Sequence, residues 1–596
     1  MRYTSCRNVN NENKGSIRAP CKIYLVASFS HAEFILISQN TFTLKPMSSL
    51  VSRRFFLTST ALAAAAGAIA HPAAAAKEHS VFQHGVASGD PLADRVLLWT
   101  RVSSHPEDVP GSLLGTPTTV QWEVSDSEEF SHIVATGQGV ALPDQDMTVK
   151  VDATGLLPYT SYFYRFSVVD GPYSGHRSPV GKTRTAPGSN QAVSHLRFAF
   201  FSCANWEAGY YAAYRDMAER VDIDYALCLG DYIYEYPTGE YAGKHQVIRP
   251  HQPPHELISL ADYRTRYGLQ RTDPDLQAAH AACPWIVTWD DHEIADNAWD
   301  GGAVNHDPDE GDFYTRRDAA LQAYLEWLPV RTTEQSQSGK LYRNLSFGPL
   351  AELSMLDLRT YRSKPVEWNH LEDVDDESRT LLGSEQFQWL SHKLTSSNVR
   401  WNLVGTSTLI TPLHIPPLEG DAGAMFAELL DLPDAGIPVN PDQWDGYASE
   451  RRRLFRLLAE KDFRNVVWLA GDLHSSWASD VPIEPADYPR SGIVGVEFAG
   501  PSVTAKNGDD ILRLPEKNSV STGVEQAITD LNPHIKSVNL DNHGYCVVEI
   551  THDYVHTDWI YVEEKERPDS PVFWSHAARA YYSEGVQLHD HPLPAA

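Results

Sequence analysis

Tyr225-Ala-Leu-Cys-Leu229 runs straight into Gly230-Asp231-Tyr232-Ile233-Tyr234-Glu235. A short unbroken apolar run that stops at Gly-Asp reads as a buried parallel strand whose carboxyl end opens into a polar loop. The pattern recurs. Leu196-Arg-Phe-Ala-Phe-Phe201 leads to Ser202-Cys203, and Trp285-Ile-Val-Thr-Trp289 leads to Asp290-Asp291-His292-Glu293. Leu353-Ser-Met-Leu356 leads to Asp357-Leu-Arg359-Thr-Tyr361-Arg362, and Val466-Val-Trp-Leu-Ala470 leads to Gly471-Asp472-Leu-His474. Helical spacing over Tyr210–Arg220 and Ser384–Leu394 separates these runs, which specifies an α/β domain past Leu196. Ligands of open α/β sheets bind beyond the carboxyl ends of the strands. Five strands that deliver Cys, Asp, Tyr, His and Arg to one rim therefore predict an active site.

Upstream the pattern is different. From Val81 to about Thr185, short alternating segments such as Val96-Leu-Leu-Trp-Thr100 and Tyr162-Phe-Tyr-Arg-Phe-Ser-Val168 are punctuated by Gly, Pro and Asp. Many short strands at this spacing predict an all-β sandwich, assigned to 77–187, with Thr185–Asn190 as a linker to a catalytic domain over 195–565. The 596-residue chain is too long for one core, and its 42% hydrophobic and 21% charged residues are ordinary globular values. Formal net charge is −29. So acidic a chain is a poor binder of nucleic acid or anionic membrane, and well suited to cations.

The rim residues point to cation chemistry together, since clustered carboxylates are costly without a positive charge between them. Cys203 thiolate and His474 nitrogen prefer a transition metal, and Tyr234 phenolate a hard one such as ferric iron. Asp291 and Asp472 suit calcium, magnesium or manganese. Asp231, three residues before Tyr234, is placed to bridge two metals. Two ions about 3.5–4 Å apart share a hydroxide nucleophile and clamp a phosphoryl group, and Arg359 and Arg362 add guanidinium donors for its oxygens.

Gly230-Asp231-x-x-Tyr234, Asp291-His292-Glu293 and Gly471-Asp472-x-His474 resemble the metallophosphoesterase plan in a variant form. With His84-Gly-Val-Ala-Ser-Gly-Asp-Pro91, Trp99-Thr-Arg101 and Glu497-Phe-Ala-Gly-Pro-Ser-Val-Thr504, residues 81–590 resemble the alkaline phosphatase D (PhoD-like) family. The resemblance implies a four-layer αββα catalytic domain behind an immunoglobulin-like sandwich, and a centre of one ferric iron (Fe3+) and one or two calcium ions (Ca2+). The iron ligands would be Cys203, Asp231, Tyr234 and His474, with Asp231, Asp291 and Asp472 on the adjacent calcium and His292 as general acid. A second calcium has no assigned ligands; Asp296 and Asn297 are its nearest candidates. Against the commoner plan, Asp291 stands for Asn, Asp472 for His and Cys203 for Asp, exchanges that favour calcium over zinc or iron at the second position. The implied activity is hydrolysis of phosphodiesters, with phosphomonoesters as further substrates, by a monomer.

Ser52-Arg53-Arg54-Phe55-Phe56-Leu57, followed by an Ala-rich run to Ala70 and small residues at 73–76, looks like a twin-arginine signal peptide over 47–76. It implies passage through the twin-arginine translocase to periplasm or medium, with 1–46 a mis-assigned extension. Cys228 and Cys546 lie in apolar runs and read as buried inert thiols. Asn542-His543-Gly544-Tyr545 reads as opening a hairpin that completes the sheet, and Val572–Tyr582 as a helix with an aromatic face within a 566–596 tail. By the resemblance that helix would restrict the active-site mouth. The rival readings are a secreted calcium-binding adhesion module without catalysis, and an exported purple-acid-type phosphatase with two transition metals.

Overall fold

The computed structural model describes residues 80–331, 340–367, 370–415, 437–438 and 440–594. The signal-peptide reading over 47–76 lies outside them. Strands β1 (Val86–Leu92), β2 (Arg95–Arg101), β3 (Thr118–Ser125), β4 (Ile133–Ala141), β5 (Thr148–Thr154), β6 (Ser161–Val168) and β7 (Gly181–Arg184) come first. Next are β8 (His195–Phe201), β9 (Tyr225–Leu229), β10 (Trp285–Thr288), β11 (Arg343–Phe347), β12 (Ala351–Met355) and β13 (Trp401–Gly405). A two-residue ribbon, β14 (His414–Ile415) with β15 (Ile437–Pro438), precedes β16 (Val466–Ala470), β17 (Ser476–Pro482), β18 (Ile493–Ala499) and β19 (Ile535–Asn539). The chain ends in β20 (His543–Thr551), β21 (Tyr554–Val562), β22 (Val572–Tyr581) and β23 (Val586–His589).

Two large sheets result. One has ten strands in the order β23-β22-β21-β20-β8-β9-β10-β1-β2-β5, the other seven in the order β11-β12-β13-β16-β18-β17-β19. Each has a parallel centre: β8, β9 and β10 in the first, β12, β13, β16 and β18 in the second. β9 and β16 are unbroken apolar runs and the others are mostly apolar, because a strand covered on both faces has little polar face to show. Phe198, Leu227 and Ile286 of the first sheet meet Leu353, Leu403 and Phe498 of the second in a buried core between them. On the outer face of the first sheet lie α1 (Ala212–Glu219), α2 (Leu260–Gln270), α3 (Pro274–Ala282) and α4 (Phe313–Trp327). On the outer face of the second lie α5 (Gly383–Ser396) and α6 (Ala448–Glu460). The helices read from Tyr210–Arg220 and Ser384–Leu394 are α1 and α5. Among the described residues no helix is long and apolar enough to cross a membrane.

Two expectations change. The segment read as a C-terminal helix is β22, paired antiparallel with β21 from Tyr554↔Tyr581 to Val562↔Val572. Its Val-Phe-Trp start and Tyr end favour a pleated surface over a helix, and the Ala577-Ala578 pair that suggests helix instead packs flat against the strand beside it. It widens the sheet beyond β21, and no helix forms there to cover a mouth. The N-terminal strands are also not confined to a sandwich of their own. Only β4, β3, β6 and β7 form a separate four-stranded sheet, while β1, β2 and β5 continue the ten-stranded sheet from β10, joined at Gly89↔Trp285. Lys150 of β5 fastens this junction: its buried ammonium donates to the carbonyls of Leu325, Leu328 and Val330 where α4 ends. A chain starting at Gly188 would expose the edge of β10 and lose Trp99 from the core beneath it. It is expected to be insoluble or to elute as aggregate in size-exclusion chromatography, whereas a freely separable catalytic domain would elute as a compact monomer.

Candidate metal centre

Each parallel strand near the site ends in a sharp turn. Cys203 after β8, Asp231 after β9, and Asp472 and His474 after β16 have φ of 63°, 56°, 64° and 52°. Left-handed backbone at a residue other than glycine costs roughly 1–3 kcal/mol and is retained where surrounding contacts enforce it. The turns are enforced here. Gly230 has φ of 106°, and a Cβ at this position would lie 2.5 Å from the Cβ of Asp290, so only glycine lets the β9 turn sit against the β10 turn. Glu293, fully buried, accepts the backbone N–H groups of Asp231 (3.1 Å), Tyr232 (2.6 Å) and Asp290 (2.8 Å) and so clamps both turns with one carboxylate. From the second sheet, the loop after β18 holds Cys203 O through the N–H groups of Thr504 and Ala505. Its Lys506 carbonyl accepts the Nδ1–H of His474 at 2.5 Å.

With Nδ1 so engaged, His474 Nε2 faces Tyr234 Oη at 3.3 Å, and Tyr234 Oη donates to Asp231 Oδ2 at 2.9 Å. Three donor groups have ligand atoms within 4.8 Å of one another: Cys203 with Asp231 and His474; Asp231 with Asp291 and His292; and Asp290 with Asp291 and Asp472. The first joins thiol, imidazole and carboxylate beside a phenol, and the last is all carboxylate. Asp231 and Asp291 each belong to two of the groups. Asp231 Oδ1 and Asp291 Oδ1 are buried without any hydrogen-bond partner. Two carboxylate oxygens without a hydrogen bond between adjacent donor sets fit a pair of cations, the Arg359 guanidinium, 3.6 Å from Asp291 Oδ1, making the one ion pair to either among the described residues.

The electrostatics agree. Burial, reinforced by Asp291 and Asp290 against the pull of His292, pushes the Asp231 carboxyl well above the carboxylate range. Burial and Asp290 do the same to Asp472, although Arg359 opposes them. Burial raises the Cys203 thiol and the Tyr234 phenol, the Asp231 charge pushes each further up, and burial brings His474 down to about 4. Asp291 goes the other way: burial would raise its carboxyl, but Arg359 and His292 hold it below the usual carboxylate range. Without a cation the other five donors prefer their neutral forms, and a bound cation would reverse that preference.

His292 is 6% exposed; its Nδ1–H donates to Glu235 Oε2 at 2.8 Å, and its Nε2 lies 4.0 Å from Asp296 Oδ1. Burial disfavours the imidazolium, but Asp291, Glu235 and Asp231 outweigh it and raise His292 well above its ordinary value. The two arginines read as phosphate donors are buried and engaged. Arg359 donates to both oxygens of Asp290 (2.5 and 2.8 Å), to Asp442 (2.9 Å) and to Asp472 (3.4 Å). Arg362 donates to the carbonyls of Ala298 and Asp442, each at 2.8 Å. All nine residues named from sequence thus lie at or against one centre. Sequence reading passed over Asp290, Glu235, Glu293, Asp442 and Gln443, whose Nε2 donates to Asp472 Oδ2 at 2.7 Å. Asp290 was signalled by its place in Asp-Asp-His-Glu; Asp442 and Gln443 follow no long apolar run and carry no local signal.

Hard carboxylate oxygens next to thiol, imidazole and phenol donors, at the carboxyl ends of parallel strands, define a metal-dependent hydrolytic centre. The PhoD-like phosphatase family profile matches residues 198–559, and that of the PhoD-like phosphatase N-terminal domain matches 66–187. Alkaline phosphatase D of Bacillus subtilis (strain 168) is 39% identical over 483 residues, covering 79% of this chain and 76% of that protein. A solved structure of PhoD superposes with a TM-score of 0.75 at 34% identity, covering 86% of this chain and 93% of the other. The chain belongs to the PhoD-like phosphatase family, and is a phosphoric ester hydrolase. Glu293→Gln, which replaces one of the two clamping oxygens with an amide donor facing N–H groups, is expected to weaken metal retention about 10–100-fold in chelator competition. Retention equal to the parent protein would show that the clamp is dispensable.

Proposed function

We propose that the protein is an exported phosphoesterase that holds one ferric iron on Cys203, Asp231, Tyr234 and His474 and calcium on Asp231, Asp291 and Asp472. The observation that carries this is the pair of oxygens without a hydrogen bond on Asp231 and Asp291, between a mixed-donor group and an all-carboxylate one. When bound, the metals supply Lewis acidity that activates water and neutralises phosphoryl oxygens. The rest is done by the chain. Asp231 sits where it can face both ions, and Arg359 holds Asp290, Asp442 and Asp472 in one cluster against their repulsion. Glu235 orients His292 by its Nδ1–H, and His292 Nε2 gives a proton to the leaving oxygen as the ester bond breaks.

The helix, sheet, sheet, helix layering supports the αββα architecture, and the four-stranded sheet facing β1, β2 and β5 across a shared core supports the immunoglobulin-like arrangement. The Arg53-Arg54 leader supports twin-arginine export to periplasm or medium. Membership of a phosphatase family favours catalysis over the adhesion reading. Phosphodiesters are the proposed substrates, with monoesters alongside.

Element analysis of protein purified without chelators is expected to give about one iron and one or two calcium ions per chain. Zinc or two irons would place it with the purple-acid type. Side-by-side assay of aryl mono- and diesters is expected to show turnover of diesters at least equal to that of monoesters; failure on both would refute the catalytic reading.

A further inference from the structure

A cavity of about 280 Å3 opens beside the centre, lined by Asn297, Trp299, Val304, Val366, Pro441 and Asp442 among others. Its floor is continuous with the site. The Asn297 N–H donates to Asp291 Oδ2 at 2.6 Å, and Asp442 receives Arg359 at 2.9 Å. Arg362 makes the walls rigid: fully buried, it donates to Ala298 O and Asp442 O, and its own carbonyl accepts the Asp300 N–H at 3.1 Å. It thereby joins the three segments that border the cavity. Trp299 is fixed from the other side. Its N–H donates to Gly302 O at 2.8 Å, and the ring lies so close over Gly302 that a Cβ there would fall 2.7 Å from Cζ2.

Half of the lining differs from the centre it adjoins: Trp299, Val304, Pro365, Val366 and Pro441 are apolar, beside the polar Asn297 and Asn440, and Val304 is 62% exposed. Lys364 also lines the cavity, its Nζ 5.9 Å from the Trp299 ring centroid and 3.2 Å from Glu367 Oε1, while Arg359 and Arg362 are engaged by Asp442. With Asp442 in the floor and Glu367 at the rim, a second anionic group would meet carboxylates there. The volume is at the small end of ligand sites, enough for one ring-sized group.

We infer that this cavity is the subsite for the organic substituent of the phosphoester, and that it selects a flat, uncharged, apolar group. The inference rests on the phosphoesterase reading of the adjoining centre. The test measures inhibition of the holoenzyme by phenylphosphonate and by methylphosphonate, which share one anionic head and differ only in the group offered to the cavity. Phenylphosphonate is expected to bind about tenfold tighter. Trp299→Ala should reduce that ratio to near one with the methylphosphonate constant unchanged, and Trp299→Phe should keep most of it. Val304→Asp, at an exposed position where folding is not at stake, should weaken phenylphosphonate selectively. Equal inhibition by both anions in the parent protein, or equal weakening of both by Trp299→Ala and Val304→Asp, would overturn the subsite. Inhibition by neither anion, in protein that turns over aryl phosphoesters, would likewise overturn the subsite; loss of that turnover would instead count against the reading of the adjoining centre.

Discussion

Asp290, Asp291, Asp442 and Asp472 converge within reach of one guanidinium, that of Arg359, whose side chain has no exposed surface. Four carboxylates cannot share a buried space unaided, because each charge raises the cost of the next. Arg362 also pairs with Asp442 at 2.8 Å, and two guanidiniums against four carboxylates leave a deficit that protonation or an added cation would meet. The surrounding design follows from that constraint. The turns are held through their backbone: N–H groups of Asp231, Tyr232 and Asp290 donate to the one carboxylate of Glu293, and those of Thr504 and Ala505 to Cys203 O.

The two sheets divide the labour. The first supplies Cys203, Asp231, Tyr234, Asp291 and His292 from three adjacent parallel strands, and the second supplies Asp472 and His474 from β16. Apolar packing between the sheets therefore sets the distance between donors that no local sequence connects. A change in that core would be felt at the centre as a shift of one donor group relative to the other.

How much of this could be read from the chain follows the same division. Strand-end donors are legible because a buried strand leaves a mostly apolar run that stops abruptly at polar residues, Gly-Asp after β9 and β16, Ser-Cys after β8 and Asp-Asp after β10. The helix mistaken over Val572–Tyr582 shows the limit of local reading: Ala-Ala-Arg-Ala has helical propensity, and only the partner β21 decides otherwise. The membership of β1, β2 and β5 in the large sheet was equally hidden, since a single pairing, Gly89↔Trp285, links them to β10. Asp442, Gln443 and Glu235 act through contacts 29 to 83 residues distant, for which periodicity offers no sign.

The position of β20 has a further consequence for the order of events during synthesis. It pairs with β8 in the middle of the ten-stranded sheet, matching Cys546 to Phe200, and Arg197 at the start of β8 also donates to the carbonyl of Pro594. The edge of β8 therefore stays without its partner while more than half the polypeptide is made. Such a topology has high contact order, and the nascent chain carries an adhesive strand edge from the synthesis of β8 to that of β20. That interval is the period in which the chain is most exposed to misassembly.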